Sequence, residues 1–145
     1  MFLIVALSVY ACQQKRERPT EALDTARLTA LRGIGQPELA LTARRAETLK
    51  ARAYDGDLAR IAVPEDADTR WLLAVADPAD DLRVPMKGPL HSRREGDAAL
   101  HRLALSLAKS AQLLPAAVLV PVSPADSHYL PGNKRCSVIS LTSRS

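Results

Sequence analysis

The chain has 145 residues, a length that holds one domain with its own core and excludes two of ordinary size. Hydrophobic residues make up 47 % and aromatics only 3 %, so the core must be built from Ala, Leu and Val, small side chains that each bury little area. The net charge of +4 comes from arginines spread along the chain, with Arg44-Arg45 and Arg93-Arg94 the dense pairs outside residues 15–18. No aromatics interleave with these pairs, which argues against nucleic-acid binding.

Residues 1–11 are apolar and end at Cys12, and Val9-Tyr10-Ala11-Cys12 is faintly similar to a lipoprotein cleavage site. No Lys or Arg precedes the run, and Tyr10 is too bulky for such a site. The run also falls short of the roughly 20 residues that span a bilayer. Phe2, Ile4, Val5 and Val9 fit a buried strand, which makes the chain a soluble, cytoplasmic protein without a membrane partner. The alternative is a small exported lipoprotein anchored through Cys12. Cys12 and Cys136 are too few and too far apart for a disulfide framework or a zinc cluster, so reduced thiols are expected.

Residues 13–19 form a polar connection. Thr20 is the expected N-cap of a helix carrying Leu23, Ala26, Ala30 and Leu31, stopped by Gly33 and Gly35. Pro37 leads into a short strand over 38–41. Thr42 then caps a helix from Ala43 to about Ala51 that buries Ala43, Ala46 and Leu49 and exposes Arg44, Arg45 and Lys50. Ala59, Ile61 and Val63 alternate as in a strand with one buried face. Asp66 or Asp68 caps a third helix with Trp71, Leu72 and Val75, closed by Asp77-Pro78. Residues 78–96 show no periodicity, and loops of that length are functional or ordered against a partner. Asp97 caps a helix over 98–114 whose buried face is Leu100, Leu103, Leu107, Ala111 and Leu114; residues 116–122 follow as a buried strand.

This alternation predicts an α/β domain over residues 1–122, a small mixed or parallel sheet covered by helices. Residues 123–145 lose periodicity, and a disordered or non-native tail is expected there. A shifted frame or a truncated gene would produce such an ending.

Three segments carry a resemblance: Leu39-Ala40-Leu41-Thr42-Ala43-Arg44-Arg45-Ala46-Glu47-Thr48-Leu49, the run from Ala76-Asp77-Pro78 to Gly88-Pro89-Leu90, and the run from Leu103-Ala104-Leu105 to Ala116-Ala117-Val118. Together they resemble the amino-terminal extension of bacterial GTP cyclohydrolase II of the alphaproteobacterial type. The first segment is similar, more weakly, to 3,4-dihydroxy-2-butanone 4-phosphate synthase, of which the extension looks like a degenerate copy. The likeness covers residues 3–122 and is vague before Leu39. It implies a parent protein that opens the imidazole ring of GTP in riboflavin synthesis, releasing formate and pyrophosphate.

Departures from both families bear on the activity. The cyclohydrolase holds its zinc with three closely spaced cysteines in a downstream domain, and neither Cys12 nor Cys136 matches that motif. The synthase uses an acidic loop and a histidine to hold magnesium, where this chain offers Gln13-Gln14-Lys15-Arg16. No residue is therefore assigned a catalytic, cofactor-binding or metal-ligating role. Zinc belongs to the catalytic domain, and the expected partners are that domain or a second copy of the chain.

The remaining polar groups have ordinary readings. Asp77, Asp80 and Asp81 are the dense carboxylate group, and a magnesium-dependent sugar-phosphate enzyme built on them is a rival reading. Asp77-Pro78 is also an ordinary helix stop. Met86-Lys87-Gly88-Pro89 offers a lysine and backbone amides to a phosphate but reads better as a turn, with no P-loop pattern around it. His91, His101 and His128 share no useful spacing, and Ser106 and Ser110 lack a nucleophile elbow.

Overall fold

Alternating apolar positions fold into four short strands, paired in the order β1-β4-β2-β3, in a computed structural model that describes residues 2–5, 25–110, 112 and 114–121. In chain order the elements are β1 (Phe2–Val5), α1 (Thr25–Ile34), β2 (Glu38–Thr42), α2 (Ala43–Thr48), β3 (Leu58–Ala62), α3 (Thr69–Ala76), a 3-10 turn (Pro78–Asp80), α4 (Ala99–Ser110) and β4 (Ala116–Pro121). Thr20, Leu23, Ala111, Cys12, Cys136, His128 and the expected tail lie outside the described residues.

The fold is α/β, with helices on both faces of one sheet. Its pairings are all antiparallel: β1 with β4, β4 with β2, and β2 with β3. The alternation of strands and helices had pointed to a mixed or parallel sheet. After β2 ends at Thr42 the chain passes through α2 and a loop and returns at Leu58 alongside β2, in the opposite direction, instead of crossing a face of the sheet to a parallel position.

Side chains separate by the period of two. Leu39, Leu41, Ala59, Ile61, Ala116, Val118 and Val120 face α1, α2 and α3, where Leu28, Leu31, Ala46, Leu72 and Val75 cover them. Ala40, Leu58, Ala117 and Leu119 face the other way, against Ala98, Ala104 and Leu105. Leu72 is fully buried, a contribution of about 1.5–3 kcal/mol for a side chain of its type. Gly35 ends α1 where the chain passes close to β4; a Cβ there would lie 2.9 Å from the Pro121 carbonyl oxygen.

Two helices depart from their expected faces. The helix after β2 ends at Thr48, and Lys50 closes it in the left-handed region with φ 57°. Arg45, expected in solvent, is buried. On α4 the buried residues are His101, Ala104, Leu105 and Ala108; Leu103 is exposed and Leu100 and Leu107 are half-buried. The helix is rotated relative to its leucine stripe. The reason is local: the strands beneath present Ala40 and Ala117, which admit close approach of Ala104, and Glu38, which takes a hydrogen bond from His101.

The caps match expectation where they are described. Thr42 accepts from the Arg45 amide, Asp68 from the Trp71 amide and Asp97 from the Ala99 amide. The long connection after α3 packs on its own chain. Trp71 Nε1 donates to the Lys87 carbonyl, the Ala62 amide to the His91 carbonyl, and the Arg93 amide to the Arg60 carbonyl. Among the described residues no helix is long and apolar enough to cross a membrane.

Candidate functional site

The cap at Thr42 fixes the start of α2 and so directs Arg45 inward, toward the end of α3. There its Nε donates to the Val75 carbonyl at 2.8 Å, and Nη2 to the carbonyls of Ala74 at 3.2 Å and Asp77 at 3.3 Å. These are carbonyls a helix end leaves unsatisfied, and a cation there complements the dipole. The other edge of the guanidinium grips Asp81 through both oxygens at 2.7 Å. Lys87 Nζ bonds the same carboxylate. Hydrogen bonds from Arg45, then Lys87, hold the Asp81 carboxyl well below the usual carboxylate range.

This node borders a cavity of about 450 Å³. Lys50, Asp81 and Lys87 line it beside Leu49, Met86 and Leu90. Lys87 is buried, whereas Met86 is almost fully exposed. The volume is in the range of small-molecule sites.

A second polar cluster lies on the opposite face of the sheet. Glu38, buried at the start of β2, takes His101 Nε2 at 2.9 Å on one oxygen and Arg93 Nε at 2.7 Å on the other. A carboxylate only accepts, so Nε2 carries the proton. Burial pushes the Glu38 carboxyl up, but the His101 hydrogen bond and the charges of Arg93, His101 and Arg60 outweigh it and hold the carboxyl below its ordinary value. Nearby Arg60, also buried, pairs with Asp55 at 2.8 Å and donates to the Glu95 carbonyl at 2.9 Å.

The three clustered aspartates do not converge. Asp77 caps the 3-10 turn through the Ala79 amide, Asp80 lies 3.9 Å from Arg83, and Asp81 faces Arg45 and Lys87. Among the described residues no three His, Cys, Asp or Glu side chains gather as a metal site. His91 is exposed, Ser106 is exposed, and Ser110 bonds the Leu107 carbonyl within its own helix.

Sequence reasoning missed Arg45, Glu38 and the burial of Lys87. Nothing local marks Arg45, whose acceptors lie at the end of α3. No signal in the one-dimensional pattern marks Lys87, because its partner Asp81, six residues earlier, is placed by Arg45 of α2. No family model, curated protein or solved structure matches the chain.

Proposed function

We propose that this chain is a non-catalytic α/β unit similar to the amino-terminal region of GTP cyclohydrolase II, acting as a scaffold in riboflavin biosynthesis. Its partner on this reading is the zinc-dependent catalytic domain or a second copy of itself, in the cytoplasm. The observation that carries the reading is the Arg45–Asp81 pair. It joins the first segment of the resemblance to the second, while the third supplies α4 and β4, which pack on β2. The segments that carry the likeness thus brace one another, and Arg45, Asp81, Glu38, His101 and Arg60 are engaged inside the fold.

The pairing of β1 with β4 also favours this reading over the lipoprotein anchored through Cys12. Cleavage before Cys12 would remove β1 and strip β4 of a neighbour. The test is co-purification of the full chain with a separately expressed cyclohydrolase catalytic domain, with formate release from GTP measured for each alone and together. Stable association, with turnover following the catalytic domain, is the expected result. Release of formate from GTP by the zinc-loaded chain alone overturns the proposal, as does recovery of the chain in the membrane fraction with Cys12 lipidated.

A further inference from the structure

The node at Asp81 is unbalanced in charge. Arg45 and Lys87 share a single carboxylate, so one positive charge is in excess at a place where both cations are buried. Buried charge without a counter-charge is costly, and the shortfall favours an anion brought within reach. Arg45 has little left to offer, since its donors are committed to Asp81 and to three carbonyls. Lys87 differs. An ammonium has three donors, and Lys87 spends one of them on Asp81. Its side chain is 5 % exposed and lines the cavity.

The walls of that cavity define what would fit. Lys50, the left-handed residue that closes α2, lines the cavity as a second cationic residue and is exposed. Asp81 is the one acidic group among the lining residues, and Arg45 already neutralises it. The rest of the wall is largely apolar: Leu49, Met86 and Leu90. Met86, 89 % exposed, is an unbranched side chain able to fold over a bound group.

We propose that the cavity between the end of α2 and residues 85–90 binds a small organic oxyanion. The anionic group sits on Lys87 and Lys50, and a short apolar body lies against Leu49, Met86 and Leu90. This site is independent of the scaffold reading, since it uses none of the family's chemistry.

Phenyl phosphate is a suitable probe, with inorganic phosphate and phenol supplying each half of it alone. The chain has two methionines, so ¹³C-methyl labelling gives one reporter in the site, Met86, and one internal control, Met1. Titrating the full chain with phenyl phosphate is expected to move the Met86 methyl resonance saturably and leave Met1 in place. Phosphate and phenol should each bind at least about tenfold more weakly, as expected when a charged hydrogen bond or the apolar contact is missing. Lys50→Gln, at an exposed position, should weaken binding by about three- to tenfold. Lys87→Leu should abolish it. A Met86 resonance that does not saturate overturns the proposal. So does a titration that is unchanged in Lys50→Gln, which stays informative if Lys87→Leu fails to fold.

Discussion

Arg45 and Asp81 stand 36 positions apart and meet edge to edge, each carboxylate oxygen 2.7 Å from a guanidinium nitrogen. The pair closes the end of α3 and anchors the start of the long connection that follows. Only a planar fork can do both at once, because a lysine in its place gathers its donors on a single nitrogen. Arg45→Lys is therefore expected to cost about 1–2 kcal/mol and Arg45→Met about 2–4 kcal/mol, less than a fully buried pair because Asp81 is partly open to water. Urea unfolding checks this: the midpoint should fall with the slope unchanged. Equal stability of Arg45→Met and the parent chain would refute the assignment.

Glu38 and His101 hold α4 to the sheet from the opposite face. Glu38→Gln keeps the shape and one acceptor but loses the charge opposite Arg93, and should cost about 1–2 kcal/mol. His101→Ala also opens a cavity on the helix and should cost more, about 2–4 kcal/mol. In the double variant the two losses should fall short of their sum by at least about 0.5 kcal/mol. Simple additivity would mean that the residues do not act as a pair.

Acid should unfold the chain in a defined window. Asp81 and Asp57 are lowered from an ordinary 3.8 and Glu38 from 4.5 in the folded state. The unfolded chain, with ordinary values, then binds more protons than the folded one as pH falls. Stability contributed by these groups is whole at neutral pH and is lost progressively below about pH 5. Urea midpoints should be nearly constant from pH 7 to 5 and drop from there to pH 3. Asp81→Asn should flatten that drop, and an undiminished slope in this variant would locate the sensitivity elsewhere.

Two glycines of α1 and its end should respond with opposite signs. A Cβ on Gly33 meets nothing within 4 Å, and Gly33→Ala should stabilise by about 0.5–1 kcal/mol through helix propensity. A Cβ on Gly35 meets the Pro121 carbonyl at 2.9 Å and Val120 at 3.2 Å, backbone and a buried side chain that have little room to give. Gly35→Ala should destabilise by about 1–3 kcal/mol. Thermal midpoints of the two variants, measured side by side, decide it.

The elements were legible in the sequence because each is announced locally. Thr42, Asp68 and Asp97 mark helix starts by their own chemistry, and the alternation of Ala59, Ile61 and Val63 marks the face toward α1–α3, although β3 is buried on its other face as well, through Leu58 and Arg60. What was not legible depends on distant partners. Leu100, Leu103 and Leu107 form the more hydrophobic stripe of α4, yet His101 takes the buried place because Glu38 is already beneath the helix. An arginine at position 45 reads as solvent-facing until the open carbonyls of α3 are placed beside it. Strand direction was hidden for the same kind of reason: the connection from Thr42 to Leu58 is long enough for a return or a crossover, and only the pairing of β3 with β2 decides between them. The candidate cavity was foreshadowed only in Lys87, and as a turn residue rather than a buried cation.

The stretch from His91 to Arg93 has a consequence beyond tying down a loop. It runs antiparallel along the outer side of β3, with Ser92 bridged to Ile61, and occupies the Ala62 amide and the Arg60 carbonyl. Those are the backbone groups that an unguarded outer strand would present to another molecule as a template for polymerisation. Along residues 60–62 the chain itself takes the place a foreign strand would need, which shortens the length of β3 open to fibril-type growth.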